Sequence, residues 1–287
     1  MIKNALLSLK KNIGKTILLF VIIVIITNLV IAGLSIQSAT KKSMDQIRSS
    51  LGNDVTLSVD FRNMIKNRKP SEAVSNETSL TTTMADSLKD LKYVKNYNYQ
   101  ISTSANSNSI SAVETASDNS NNQPEQASNQ VDFTISANTT MKYLDSFTNN
   151  NYKLTKGRLL TTKDQNTNNC VIETNLACDN DLSVGDTFTI TTTINDETIT
   201  QELTIVGIYE IQSTNEIGSA HFNNPVNTIY TDLSVGQYFT ASDSNITSAT
   251  YYLDDPENIE KFQELAKEET DIDFETYTLE ANDRLYQ

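Results

Sequence analysis

The chain has 287 residues, a formal net charge of -14, no Trp, one His and two Cys. Seven of the 22 basic residues but only one of the 36 acidic residues lie within residues 1–50, so residues 51–287 carry a net -20. That surface excludes nucleic acid, whose phosphates require Lys/Arg footprints; it either attracts cationic ligands or simply keeps the domain soluble.

The chain opens with Ile2, Leu6, Leu9 and Ile13 at helical spacing and Lys on other faces. The pattern predicts an amphipathic helix over 1–15, lying on the cytoplasmic leaflet. Ile17 to Ile36 follows, twenty residues without a charge. At ~1.5 Å per residue such a helix spans ~30 Å, the hydrocarbon thickness of a bilayer. A cleaved signal peptide has the same basic start, but its apolar core runs ~7–15 residues; the longer run favours a retained transmembrane helix over 16–36. Lys3, Lys10, Lys11 and Lys15 place the N-terminus in the cytoplasm and residues after about 37 outside it. Thr27 and Asn28 interrupt the span and are candidate contacts to a neighbouring helix. Ile36, Ala39, Met44, Ile47 and Leu51 extend an apolar stripe with no strong breaker before Gly52, which predicts a stalk helix over 37–51.

Residues 53–61 alternate as a strand, 83–92 present Met84, Leu88 and Leu91 on one helical face, and 93–101 read as extended. A second β-α-β unit closes the chain, with strands 248–253 and 273–279 about a helix over 256–269. Asp255 suits its N-cap and Pro256 its first position. Together, 52–101 and 246–287 predict one split α+β subdomain. Residues 102–130 are nearly all Ser, Asn, Gln, Ala and Thr and predict a polar, mobile loop. Residues 131–245 predict an inserted β-rich subdomain: alternation at Val131, Phe133 and Ile135, a short helix over 139–147, strands 169–173, 187–194 and 198–208, a helical turn at 174–181 and a hairpin turn at Asn195-Asp196. The fold class is therefore α+β.

Catalytic patterns are missing. Gly14-Lys15-Thr16 imitates the end of a phosphate-binding loop, but Leu9 stands where the first Gly is required and a membrane span follows. His221 is the single His, with Glu216 the nearest acid and no Cys beside it, which suits a solvated side chain better than a metal site. Asp254-Asp255 and Glu268-Glu269-Thr270-Asp271 lack calcium-loop spacing and read as a helix cap and a solvated helix end. Cys170 and Cys178 lie in a segment placed outside the cytoplasm, where a disulfide is allowed; the spacing leaves open whether they pair or stay as small side chains. No cofactor and no catalytic or metal residue is expected.

The run NALLSLKKNIGKTILLFVIIVIITNLVIAGLSI resembles the start of MacB-like and FtsX-like ABC transporter permeases. GRLLTTKDQNTNNCVIETNLACDNDLSVGDTFTI is similar to their extracytoplasmic domain, where a "GR" turn leads to a strand, a short helix and a "VGD" turn. LTIVGIYE at Leu203–Glu210 and YYLDDPENIEKFQELAKE resemble later pieces of that domain, in the same order. Residues 102–130 stand outside the match. The resemblance implies a non-catalytic permease subunit in the plasma membrane of a bacterium, truncated before three further membrane helices. A separate cytoplasmic ABC ATPase would move it. Its partners would be a second permease copy or homologue, membrane lipid, and an extracytoplasmic substrate or protein; across the family these are peptides, antibiotics, lipoproteins or cell-wall hydrolase partners. A single-pass surface adhesin or sensor is the alternative from the residues alone.

Overall fold

The computed structural model describes residues 14, 17, 18, 20–28, 30, 31, 52–60, 62, 79–113, 132–212 and 224–281. The chain divides into two units, residues 1–52 with 283–287, and residues 53–282.

In the first unit the described residues between Gly14 and Ile31 are helical. Their large apolar side chains are exposed, among them Ile17, Phe20 and Ile26. Among the described residues, no helix is long and apolar enough to cross a membrane. Parts of the span expected over 16–36, and the stalk expected over 37–51, lie outside the described residues, as does all but Gly14 of the surface helix expected over 1–15. Thr27 Oγ1 donates to the Ile23 carbonyl and Asn28 Nδ2 to that of Val24, each at 2.8 Å.

In the second unit, β1 (Asp54–Val59) alternates as expected, with Val55 and Leu57 fully buried. A short β2 (Leu80–Thr81) leads into α1 (Thr82–Lys89), where the Thr81 hydroxyl accepts from the Met84 amide at 3.3 Å. The next strand, β3, runs from Val94 to Ala105, four residues into the stretch expected to be loop. Serines and threonines hold it there because β4 (Phe133–Asn138) pairs with it over Gln100 to Ala105. The helix expected over 139–147 shortens to α2 (Asp145–Thr148), since Met141 is instead tied by its amide to the Leu160 carbonyl at 3.0 Å.

Then come β5 (Tyr152–Gly157), β6 (Asn169–Glu173), α3 (Thr174–Asp179), β7 (Thr187–Ile194) and β8 (Glu197–Ile211). Asn195 and Asp196, both with positive φ, form the tight turn between β7 and β8. β9 (Thr228–Asp232) and α4 (Leu233–Phe239) follow, then a short β10 (Asn245–Ile246). β11 (Ser248–Leu253) leads to Asp255, whose carboxylate accepts from the Glu257 amide at 3.0 Å. The expected helix opens there as a 3-10 turn (Pro256–Asn258), continues as α5 (Ile259–Glu269) and ends before β12 (Tyr277–Ala281).

One ten-stranded sheet carries the unit, in the order β12-β1-β11-β3-β4-β9-β6-β8-β5, with β7 on the other part of β8. The pairs are antiparallel except β4–β9 and β6–β8. Apolar residues gather in three clusters. Val55, Leu57, Tyr251 and Leu253 pack with Leu88 of α1 and Phe262 of α5. Phe133, Ile135, Ile172, Ile190 and Ile205 form a second cluster with α3. Tyr152, Tyr209 and Tyr230 form a third with Met141 and Leu160. The two stretches read as separate subdomains share the sheet through the β3–β4 pairing.

Candidate functional site

Side chains alternate across a strand, so the strands that bury Val55, Leu57, Tyr251 and Leu253 on one face present their other residues opposite. On that second face is a groove of about 280 Å³. β1 contributes Asp54 and Thr56, and β11 contributes Ser248, Thr250 and Tyr252. Thr56 and Thr250 are register partners whose hydroxyls meet at 2.9 Å. β3 adds Asn98 and Gln100, β4 adds Ser136, and β9 adds Tyr230. Leu144, Asp145 and Ser146 close one side at the start of α2.

The groove floor is ordered by its own amides. Gln100 Nε2 donates to Ser136 Oγ at 3.2 Å, and Asn98 Nδ2 to Asn138 Oδ1 at 2.9 Å. Asn98 Oδ1 accepts from the Thr140 amide at 3.0 Å. Asn138 Nδ2 donates to both the carbonyl and the hydroxyl of Ser136. The walls are equally fixed. Tyr252 lies against Tyr143 at 4.9 Å between ring centroids, and its hydroxyl donates to the Tyr143 carbonyl at 3.0 Å. Tyr230 packs edge-on against Phe147 and Tyr209. Among the described residues lining the groove there is no Lys, Arg, Glu or His.

Two further features hold the β6–β8 side of the sheet. Arg158 makes a two-pronged contact with Asp164, Nη1 to Oδ2 at 2.8 Å and Nη2 to Oδ1 at 2.6 Å. The Thr161 amide and Asn169 Nδ2 donate to the same carboxylate, each at 2.8 Å. Burial alone would raise the Asp164 carboxyl, but Arg158 and these donors outweigh it and hold the group well below the usual carboxylate range. Glu173 caps α3 through the Asn175 amide; burial pushes its carboxyl above the ordinary value despite that bond.

The second feature is a strap over 106–113. Asn106 exchanges backbone bonds with Thr191 on β7, at 2.8 and 2.7 Å. Ile110 is buried in the second cluster. The Ser111 amide donates to Asn180 Oδ1 at 2.7 Å while Asn180 Nδ2 donates back to the Ser111 carbonyl at 2.9 Å. Asn227 clamps Val113 in the same way, at 2.8 and 3.1 Å. Residues 106–113 are thus docked, and 114–131 lie outside the described residues.

Cys170 and Cys178 are not brought together as a disulfide in this structure. Both are free thiols, Cys170 buried in β6 and Cys178 exposed on α3. Burial pushes the Cys170 thiol up. Among the described residues no group of three or more His, Cys, Asp or Glu is arranged to hold a metal. His221 lies outside the described residues. Sequence reading did not identify the groove, because its residues come from strands up to two hundred positions apart and form no motif.

Comparison with known proteins gives the same identity as the quoted segments. An "Uncharacterized ABC transporter permease YclI" of Bacillus subtilis (strain 168) is 36% identical over 309 residues. The chain spans 63% of the length of that relative, and all of the chain is matched. Two solved structures are similar in part. The periplasmic region of MacB from Actinobacillus actinomycetemcomitans has 16% identity and a TM-score of 0.44, over 81% of this chain and 91% of that one. The extracellular domain of the noncanonic ABC-type transporter YknZ from Gram-positive bacteria has 13% identity and a TM-score of 0.46, over 79% and 100%. The family of the MacB-like periplasmic core domain matches residues 16–269, and the chain belongs to that family.

Proposed function

We propose that the chain is the first membrane helix and extracytoplasmic domain of an ABC transporter permease subunit. It is non-catalytic and is moved by a separate cytoplasmic ATPase, with a second permease copy or homologue as its membrane partner. The observation that carries this reading is the extent of the family match, which begins at residue 16 in the apolar run and continues through α5 to residue 269. The uncharged stretch Ile17–Ile36, its basic approach and the exposed apolar side chains of the described helix support insertion in a bilayer. The net -20 of residues 51–287 supports a solvated outer domain. A split α+β lobe (52–101 and 246–287) and an inserted β-rich lobe (131–245) sharing one sheet would let a movement at one end reach the other as a rigid body. Nothing favours a single-pass adhesin or sensor.

The test uses the native exposed thiol. A fluorophore on Cys178 of the full gene product, reconstituted with the ABC ATPase encoded beside it, should change emission on ATP addition. The change should vanish when the ATPase cannot bind nucleotide. A steady signal with an active ATPase, or a gene without an ABC ATPase neighbour, would contradict the proposal.

A further inference from the structure

We propose that the polar groove binds a neutral, polyhydroxylated ligand, a small carbohydrate; the proposal rests on the reading of this domain as the substrate- or partner-engaging part of a permease. Three observations converge on that chemistry.

The first is composition. A sheet face left to solvent ordinarily carries long charged side chains. Here the floor is made of Ser, Thr, Asn and Gln with one buried carboxylate, Asp54, and no Lys, Arg or Glu lines it among the described residues. Asn98 and Ser136 are 3% and 6% exposed. Neutral donors and acceptors below the surface, without a cation, disfavour phosphate- or carboxylate-bearing ligands. They suit hydroxyl groups, each of which both donates and accepts.

The second is preorganisation. The Gln100–Ser136 and Asn98–Asn138 bonds and the Thr56–Thr250 hydroxyl pair fix the floor before any ligand arrives. Prior ordering lowers the entropic cost of binding. Asp145 places a second carboxylate in the lining, at the start of α2.

The third is the aromatic wall. Tyr230 and Tyr252 are held by Phe147, Tyr209 and Tyr143, and both line the groove. An amphipathic ligand with apolar ring faces and polar edges matches flat tyrosines above a polar floor. Among the described lining residues only Leu144 adds an aliphatic side chain, too little to seat a lipid tail. The volume, about 280 Å³, is just below the ~300–1,000 Å³ of small-molecule pockets.

The experiment is saturation-transfer NMR, with a tyrosine-fluorescence titration, on the full chain in a detergent without a sugar headgroup. The probes are maltotriose, chitobiose, spermidine and inorganic phosphate. At least one saccharide should bind with a Kd of about 1 mM or tighter. Ser248→Tyr, which fills the floor, should weaken it about tenfold. Gln100→Ala, which removes one amide and leaves the strand intact, should weaken it about threefold. An unchanged circular-dichroism spectrum and melting temperature would show that each variant is folded. Saturable binding of spermidine or phosphate without either saccharide would overturn the ligand class, and so would no binding by either saccharide. Saccharide binding that survives both substitutions would overturn the site. Saccharide binding without an ATP-driven signal at Cys178 would reject the transporter reading alone; the reverse result would reject the saccharide alone.

Discussion

Gly157 and Gly207 face each other across β5 and β8, and neither position has room for a side chain. A Cβ on Gly207 would sit 2.2 Å from the Arg158 carbonyl oxygen, and one on Gly157 would sit 2.1 Å from that of Val206. Gly157 also has φ of +71°. The glycine of the "GR" turn and that of the "VGIY" strand are therefore the two sides of one close backbone approach. Both obstacles are main-chain atoms, which cannot swing aside as a flexible side chain does. Gly207→Ala should destabilise the domain by about 2–4 kcal/mol. Chemical denaturation checks this; a loss under about 0.5 kcal/mol would contradict it.

Arg158 next to that turn fixes the Asp164 carboxylate, which also receives Thr161 and Asn169. Asp164→Ala should cost about 2–3 kcal/mol, because it orphans several donors at once. Arg158→Ala should cost only about 1 kcal/mol, because the guanidinium is half exposed. The folded carboxyl is depressed below its unfolded value of about 3.9. Its contribution is thus fully present above that value and is lost as pH falls toward the folded one. Between pH 5 and pH 2 the wild type should lose more stability than Asp164→Asn, as denaturation midpoints at each pH would report.

The strap makes a separate prediction. Asn180→Ala and Asn227→Ala each remove a side chain that both accepts from and donates to one strap residue. Amide exchange at Ser111 and Val113 should speed up at least tenfold in the matching variant, with β8 amides unchanged. Protection unchanged at both sites would show that the asparagine clamps do not hold the strap.

Local signals made much of the fold readable. Alternation at Val55 and Leu57, the Asp255-Pro256 start, the β7–β8 hairpin with its Asn195-Asp196 turn and the β6–α3 step all lie where periodicity and capping place them. The β9–α4 pair was not visible, because Leu233–Phe239 contains Gly236 and two aromatics, all poor helix formers. It is helical because Gly236 presses against Ala137 and Ile101, and Asp232 caps the first turn through the Ser234 amide. Polar composition also disguised Ser102–Val113, which is ordered by strand pairing and asparagine clamps together with the burial of Ala105 and Ile110. The groove was least legible: Asp54 and Tyr252 are partners in register but 198 positions apart, and Ser, Thr and Asn carry no motif of their own.

In the proposed topology residues 53–282 stand outside the cytoplasm, and the chain's own cysteines test it. Cys178 is exposed and Cys170 is buried, so residues 53–282 offer a membrane-impermeant maleimide one reactive site. Applied to cells whose cytoplasmic membrane is intact and whose outer layers are permeable, it should modify the chain once, and Cys178→Ser should abolish the modification. Labelling that appears only after the cytoplasmic membrane is broken would contradict that topology.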